Sequence, residues 1–257
     1  EENDLLNKTE YTQVAMVTAC IAMTRAVEAM GLHADMTAGL SLGEYCAIAT
    51  AGGMCDMDAV RTVRSRGIFM EHAAPEGTGA MSAVLGLDAS VIEEVLDGRE
   101  GVSIANYNCP GQIVITGQAE AVAKAGEALK EAGARRVLPL KVSGPFHSPM
   151  MRPAGEELAK VFAGVSMNPL KLPYVANINA EVITDCSKIE ELLVAQVSGS
   201  VRWQQSVETM IREGVDTFIE IGPGKTLTGF LRKIDKNVKS YHIGSWEEAV
   251  QVCEELK

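Results

Sequence analysis

Apolar residues recur at helical spacing near the start of the chain. Val14, Val17 and Ile21 fall on one face of a helix and predict an amphipathic first helix. Thr9 precedes the pattern as a candidate N-cap, and Gly31 follows it as a residue that ends helices. We therefore expect a helix between these two residues.

A strand, a sharp turn and a second helix are predicted next. The short apolar segment 36–38 runs directly into the segment 39–43, which has glycine at both ends. The helix that follows continues until the glycine pair at 52–53. This order places a tight turn between a buried strand and a helix.

The pattern changes after a third helix, which is predicted from Asp56 or Asp58 to about His72. The proline- and glycine-containing segment 75–79 is typical of a linker. The next residues predict the order βαββαβ, with strands at 81–85, 102–106, 112–116 and 136–142 and helices at 89–96 and 119–132. This order is typical of a ferredoxin-like unit.

Helices and strands alternate again after Pro153, and an apolar strand at 217–221 leads into a glycine-rich turn and a further helix. Such alternation predicts a parallel sheet in an α/β fold. The sequence therefore predicts a large α/β domain built from residues 1–77 and 146–257, with a smaller unit of residues 78–145 inserted in it.

Composition and charge exclude several classes of function. The net charge of −11 and the pI of about 4.9 argue against nucleic acid as the main partner, because phosphate backbones are bound by clustered Lys and Arg. The longest apolar run, residues 14–23, is shorter than a membrane span. The acidic start lacks the pattern of a secretory signal, so we expect a cytoplasmic protein. The six cysteines form no C-x-x-C pair, and no metal is expected.

The segment 39–43 fits the pattern G-x-S-x-G, in which small neighbours let the backbone hold a serine hydroxyl clear of a sheet. Ser41 is therefore a candidate nucleophile, and the amide of Leu42 is a candidate oxyanion donor. A glycine-flanked serine in an ordinary loop is the alternative explanation.

A serine nucleophile requires a base, and the chain has four histidines. His147 lies between glycine and proline residues where the inserted unit returns to the large domain, and clefts between domains favour binding sites. His33, His72 and His242 are interpreted as structural histidines. A structural role for His147 itself stays open at this point.

Arg66 falls on the apolar face of the third helix with Ala59, Val63 and Met70, whereas Arg61 points to the opposite side. An inward guanidinium needs an anion, and a carboxylate of the protein or of a substrate would serve. A structural ion pair remains the alternative.

The segment 222–226 is similar to a phosphate-binding loop. That motif requires a glycine five residues before Gly224, where this chain has Ile219. This mismatch argues against an NTPase. We expect a tight turn whose amides and Lys225 line a cleft.

These motifs together resemble the malonyl-CoA:acyl carrier protein transacylases of bacterial type II fatty acid synthesis. The resemblance covers essentially the whole chain and rests on the segments 39–45, 66–67, 143–147 and 220–225 and on Gln196. It implies an α/β-hydrolase-like large subdomain and a ferredoxin-like insert. It also implies malonyl-CoA and acyl carrier protein as substrates, no cofactor, no nucleic-acid or membrane partner, and a monomer.

The resemblance also implies roles for individual residues. Ser41 is the nucleophile, His147 the general base and acid, and Arg66 the clamp on the malonyl carboxylate, while the backbone carbonyl of Gln196 orients the histidine. Further residues are matched to substrate binding: Asn106 and Asn108 on the pantetheine side, and Phe146 beside the base.

Two departures from the family pattern change what is expected. Histidine is more frequent in the family where this chain has Leu40, which bears on the fine structure of the pocket. The family's opening strand and its G-Q-G turn, which supply a second oxyanion amide, do not occur in this sequence. We expect the loss of such a donor to cost on the order of 10²–10³ in rate.

Acyl carrier proteins of this kind are expected to be acidic, as this chain is, so docking requires a local basic patch. The candidates are Lys225, Arg232, Lys233, Lys236 and Lys239, together with Arg135 and Arg136. A basic helix face that is merely solvated is the alternative. A serine hydrolase is the rival enzyme class, and a non-catalytic module that binds CoA or a carrier protein is the third possibility.

Overall fold

The first helix lies where the apolar spacing predicts it. The computed structural model describes residues 4–75, 77–142 and 144–256, and in it α1 covers Thr9–Ala29 and buries Val17 and Ile21. The prediction that Thr9 is the N-cap was wrong, because Lys8 holds that position and no side chain caps the helix locally. The first amide is satisfied instead by a distant residue, since Thr9 N donates to Glu71 Oε2 at 3.0 Å.

The described residues form nine further helices after α1. In chain order they are α2 Gly43–Thr50, α3 Asp56–His72, α4 Ala89–Leu96, α5 Ala119–Glu131, α6 Arg152–Phe162, α7 Ile189–Ser198, α8 Trp203–Arg212, α9 Thr226–Ile234 and α10 Trp246–Glu255. Within the described part of the chain, no helix combines the length and apolar content needed to cross a membrane.

The strands of the described residues form three sheets. In chain order they are β1 Thr37–Ala38, β2 Gly79–Leu85, β3 Val102–Cys109, β4 Gln112–Gln118, β5 Arg136–Pro139, β6 Tyr174–Val175, β7 Val182–Ile183, β8 Thr217–Ile221 and β9 Lys239–Ile243. Four predicted strand bounds were wrong. β2 begins two residues earlier than expected and β4 ends two residues later, because the two strands pair with each other along their whole length. β3 runs three residues further than expected because Tyr107 and Cys109 still pair with β4, and β5 stops at Pro139, which has no N–H to donate to the ladder.

The sheet of residues 79–139 has the strand order β3-β4-β2-β5, with every neighbouring pair antiparallel. α4 and α5 cover one face, where Val84, Ile92, Ile115 and Leu129 form a buried core. The opposite face carries small apolar residues, and Phe146 packs against it. This sheet therefore presents its second face to the rest of the chain.

The remaining strands form a sheet of order β1-β6-β7, in which β1 and β6 are parallel, and a parallel pair β8-β9. The largest core joins α1, α2, α3, α6 and α7, with Tyr45, Ile48, Leu158 and Leu193 fully buried. The protein is thus an α/β protein with mixed sheets. Because β1 and β6 are parallel neighbours, the segments that follow them leave the sheet at the same edge.

Two backbone–backbone hydrogen bonds join β3 of the antiparallel sheet to Val201 in the C-terminal half of the chain. Tyr107 N donates to Val201 O at 2.9 Å, and Val201 N donates to Ala105 O at 2.8 Å. This contact fixes the end of β3 beside the β1 edge. A cleft of about 1190 Å³ lies there, lined by residues of β1, β3, β8 and the turn before α2.

Candidate active site

The turn between β1 and α2 holds Ser41 in a strained conformation. Ser41 has φ 50°, in the left-handed region that non-glycine residues rarely adopt. Gly39 makes the turn possible, because a Cβ atom there would lie 2.0 Å from the carbonyl group of Gly43. The strain therefore has a specific structural support, and it occurs at the predicted nucleophile.

Asn177 fixes this turn from the segment that follows β6. Its Oδ1 accepts a hydrogen bond from Ser41 N at 2.5 Å, and its Nδ2 donates to Gly39 O at 2.8 Å. The side chain is completely buried. Sequence reasoning missed this residue, because no local pattern shows that an asparagine 136 residues away pairs with the turn.

Replacing Asn177 with alanine is expected to destabilise the fold by about 2–4 kcal/mol, because two buried backbone groups lose their partners. Urea unfolding followed by tryptophan fluorescence measures this change. The control is Asn179→Ala, since the exposed Asn179 bonds only Glu181 within the described residues and should change stability by less than about 0.5 kcal/mol. Equal unfolding midpoints for the two variants would contradict the assignment.

His147 faces the serine from the other side of the site. Ser41 Oγ and His147 Nε2 are 2.8 Å apart, and His147 Nδ1 lies 2.8 Å from Gln196 O. A carbonyl oxygen can only accept, so Nδ1 carries the proton and Nε2 is left to accept the serine proton. His147 also has a left-handed backbone, with φ 60°, and is 5% exposed.

The environment keeps the imidazole neutral. Burial, together with the positive charge of Arg66, lowers the pKa of His147 to about 4, against the opposing effect of its hydrogen bonds to backbone groups. At neutral pH the ring is therefore an unprotonated base. The pair of Ser41 and His147 can deprotonate the hydroxyl as it attacks an acyl carbon, with Gln196 O in the position of a triad carboxylate.

Arg66 projects from α3 into the same site and is 2% exposed. Its Nη2 donates to Ser41 Oγ and to Gln196 Oε1, both at 3.0 Å, and its Nη1 donates to Gln13 Oε1 at 2.6 Å. None of the ion pairs among the described residues includes Arg66. A structural ion pair, the alternative left open by the sequence, is therefore absent from this part of the chain.

The guanidinium retains its charge without a counter-ion. Burial lowers the pKa of Arg66 from its ordinary value, but an arginine remains protonated at neutral pH. Its Nε is buried and has no hydrogen-bond partner among the described residues. A buried cation that is held by neutral amides and a hydroxyl is suited to bind an anionic group beside Ser41.

Besides Asn177, the structure adds three side chains to the site that sequence reasoning did not name. Gln13 lies on the buried face of α1 and contacts Arg66. It shares the helical spacing of Val17 and Ile21, and this spacing could have indicated from the sequence that Gln13 is buried. The side chain of Gln196 contacts Arg66, Ser41 and Glu44, whereas only its backbone carbonyl had been predicted. Glu44 is fully buried behind the nucleophile.

The other predicted substrate residues lie in two places. Asn106 and Asn108 line the cleft of about 1190 Å³ together with Leu40 and Leu42, the chain neighbours of Ser41, whereas Ser41, His147 and Arg66 do not line it. No acceptor for the amide of Leu42 is found among the residues that the structure describes. Phe146 packs where the main core meets the antiparallel sheet. Ser143, the first residue of the histidine motif, lies outside the described residues.

The candidate docking residues are all exposed. Lys225 bonds Glu248 at 3.0 Å and does not line the cleft, so that expectation was wrong; the nearby carboxylate attracts the ammonium group outward. Lys233 reaches Gln112 at 3.4 Å. Arg135 lies against Gly86, and the amide of Gly86 donates to Gly111 O, next to Gln112 in the chain. Arg135 and Lys233 therefore belong to one region of the surface.

The remaining polar clusters show no second site. His33 and His72 are exposed, and His242 bonds Gly222 O and faces Glu248. Among residues 4–75, 77–142 and 144–256, no group of three or more His, Cys, Asp or Glu side chains could hold a metal ion.

Comparisons with known proteins agree with this geometry. The chain is 44% identical to the malonyl CoA-acyl carrier protein transacylase of Bacillus subtilis (strain 168), over 98% of this chain and 81% of the relative. It superposes on the crystal structure of malonyl CoA-acyl carrier protein transacylase from Clostridium perfringens with a TM-score of 0.95 and 42% identity, covering 98% of this chain and 80% of that one.

A third similar protein was solved with a partner. The structure of a type II PKS acyl-carrier protein in complex with its malonyl-transacylase matches with a TM-score of 0.92 and 40% identity, covering 97% of this chain and 82% of that one. The family model of the acyl transferase domain matches residues 1–252. Since that match spans nearly the whole sequence and close relatives share the fold, the chain belongs to the acyl transferase family.

Proposed function

We propose that this chain transfers a malonyl group from malonyl-CoA to the phosphopantetheine thiol of acyl carrier protein through a malonyl-serine intermediate. The observation that carries the proposal is the buried, unpaired guanidinium of Arg66 at hydrogen-bond distance from the nucleophile, 3.0 Å from Ser41 Oγ. The names of the similar proteins, all malonyl transacylases, support the same substrate.

The first half of the reaction loads the serine. Ser41 Oγ attacks the thioester carbon while His147 Nε2 takes its proton, and the Leu42 amide donates to the oxyanion that forms. When the tetrahedral intermediate collapses, the bond to sulfur breaks and His147 returns the proton to departing CoA. The phosphopantetheine thiol then attacks the malonyl-serine ester by the same steps in reverse order. Atoms and charges balance without a cofactor.

Arg66 gives the selectivity for a dicarboxylic acyl group. A malonyl carboxylate can accept from the guanidinium in place of the serine hydroxyl and so gains a charge-assisted hydrogen bond in a buried site. A neutral acyl group leaves the buried charge without that partner. The same contact supports the transacylase over a serine hydrolase of neutral esters, which has no use for an inward cation.

The two-part architecture is part of this proposal. The βαββαβ order of residues 79–139 and the strand order β3-β4-β2-β5 support a ferredoxin-like insert at 78–145. The strained serine between β1 and α2 supports an α/β-hydrolase-like large subdomain of residues 1–77 and 146–257. The pantetheine arm then enters between the two parts, along Asn106 and Asn108, and Phe146 limits branching of the acyl chain.

Mass spectrometry of the intact chain tests the function. Wild type mixed with malonyl-CoA should gain one malonyl group and lose it when acyl carrier protein bearing phosphopantetheine is added. A burst of CoA release equal to the enzyme, with slow release afterwards, indicates transfer. Continuous CoA release without carrier protein would identify a hydrolase, and no adduct at all would indicate a binding module.

Docking of the carrier protein is proposed at the basic region formed by Arg232, Lys233, Arg135, Arg136 and Lys225. Both proteins are acidic overall, so a local positive patch must steer their encounter. Reversing the charge at Arg232 and Lys233 is expected to raise KM for carrier protein by about tenfold and to leave KM for malonyl-CoA unchanged. Steady-state kinetics with each substrate varied measure both values. Unchanged KM for the carrier protein would reject this surface.

A further inference from the structure

Glu44 is a carboxyl group that the proposed mechanism does not use. It lies in the first turn of α2 and is fully buried. Its Oε2 accepts hydrogen bonds from Gln196 Nε2 at 2.6 Å and from Asn177 N at 3.2 Å. Its Oε1 has no partner, and no cation pairs with either oxygen, among the residues that the structure describes.

The contact with Glu44 determines how the amide of Gln196 is oriented. Gln196 Nε2 donates to Glu44 Oε2 and to Ser41 O, at 2.6 and 2.9 Å, so Oε1 must point the other way. That oxygen accepts from Arg66 Nη2 at 3.0 Å. A reversed amide would set an NH₂ group against the guanidinium. Glu44 therefore acts on the arginine through Gln196 and does not touch the reacting atoms.

The carboxyl group is held in its neutral form. Burial raises the pKa of Glu44 to about 8, although the hydrogen bonds from Gln196 and Asn177 and the charge of Arg66 favour the ionised form. The other titratable groups that face it, Tyr45 and Tyr174, have pKa values raised mainly by burial and stay neutral. At neutral pH the charge on Arg66 is thus not cancelled by its closest buried acid.

We propose that Glu44 is a positioning residue: its contact with Gln196 Nε2 orients that amide, while the charge of Arg66 stays available to the carboxylate of the substrate. This inference rests on the proposed function, because it assigns the malonyl carboxylate to Arg66.

The pH dependence follows from the sign of the shift. Below about pH 8 Glu44 carries its proton, and above that value it becomes an anion close to the guanidinium. The anion competes with the malonyl carboxylate, so KM for malonyl-CoA rises in alkaline solution. Acetyl-CoA has no carboxylate on its acyl group and should show no such rise. Glu44→Gln keeps the acceptor oxygen and cannot ionise.

The experiment measures kcat and KM of the loading step for malonyl-CoA and acetyl-CoA between about pH 6.5 and pH 9.5. For wild type and the exposed control Glu94→Gln, KM for malonyl-CoA should increase about tenfold across this range. For Glu44→Gln this KM should stay flat across the same range. Glu44→Leu, which cannot hold Gln196, should lose malonyl selectivity at every pH.

Two results would overturn the inference. One is a loss of malonyl-CoA affinity in Glu44→Gln at neutral pH, which would mean that an ionised Glu44 is required. The other is a wild-type KM that does not change with pH. If wild type forms no malonyl adduct at neutral pH, the proposed function fails first and this inference with it. If wild type forms the adduct but the KM of Glu44→Gln for malonyl-CoA does not stay flat with pH, the inference is rejected and the proposed function stands.

Discussion

Ser41→Ala is expected to form no malonyl adduct and to lose malonyl transfer by a factor on the order of 10⁴ or more, the scale seen when a nucleophile of a catalytic triad is removed. The loss is this large because the covalent route disappears. His147 and the Leu42 amide remain, but water or the carrier thiol would have to attack malonyl-CoA directly, without the intermediate that divides the reaction into two steps.

The adduct is measured by intact mass spectrometry, and transfer by the conversion of carrier protein to its malonyl form. Ser187→Ala is the matched control, since Ser187 is an exposed serine in a segment away from the site. It should load and transfer like wild type. A malonyl adduct on Ser41→Ala would place the acyl group on another residue and end the proposed mechanism.

Arg66→Met is expected to lower kcat/KM for malonyl-CoA by about 10²–10³, because a buried charge-assisted hydrogen bond to the substrate carboxylate is lost. The value for acetyl-CoA should change by only a few-fold, so the preference for malonyl-CoA collapses. Methionine fills much of the space of the arginine stem. Removing an uncompensated buried charge offsets the hydrogen bonds that Gln13 and Gln196 lose, so the fold should persist.

Competition between malonyl-CoA and acetyl-CoA in one reaction gives the selectivity directly. Arg61→Met is the matched control, because Arg61 lies on the same helix and is exposed. It should keep the wild-type preference. If Arg66→Met lowered kcat/KM equally for malonyl-CoA and acetyl-CoA, the arginine would be acting on the serine or on the fold, and not on the malonyl carboxylate.

Local patterns predicted the helices and strands well where burial repeats regularly. α3 was expected from Asp56 or Asp58 to about His72 and covers Asp56–His72, because Ala59, Val63, Arg66 and Met70 share a buried face. The predicted strand at 217–221 coincides with β8. Errors occurred where a tertiary contact replaces a local one, as at Thr9, whose amide bonds Glu71 on α3.

The residues of the candidate site likewise fall into two groups: those that local sequence patterns indicated and those that only tertiary contacts brought in. The sequence by itself determined the residues with intrinsic chemistry: a serine in a glycine-flanked turn, a histidine between Gly and Pro, and an arginine on an apolar helix face. Each of these stands out against its own neighbours. The structure brings the histidine and the arginine within hydrogen-bond distance of Ser41 Oγ, at 2.8 Å for His147 and 3.0 Å for Arg66.

Only the tertiary structure decided how these groups are held and charged. Asn177, Gln13, Glu44 and the side chain of Gln196 act through contacts between segments that are 53 to 155 residues apart in the chain. Burial then favours the neutral state of His147 and Glu44, and Arg66 has no ion-pair partner within the described part of the chain. Hydrogen-bond partners and desolvation depend on what surrounds a residue in space, and sequence neighbours do not specify either of them.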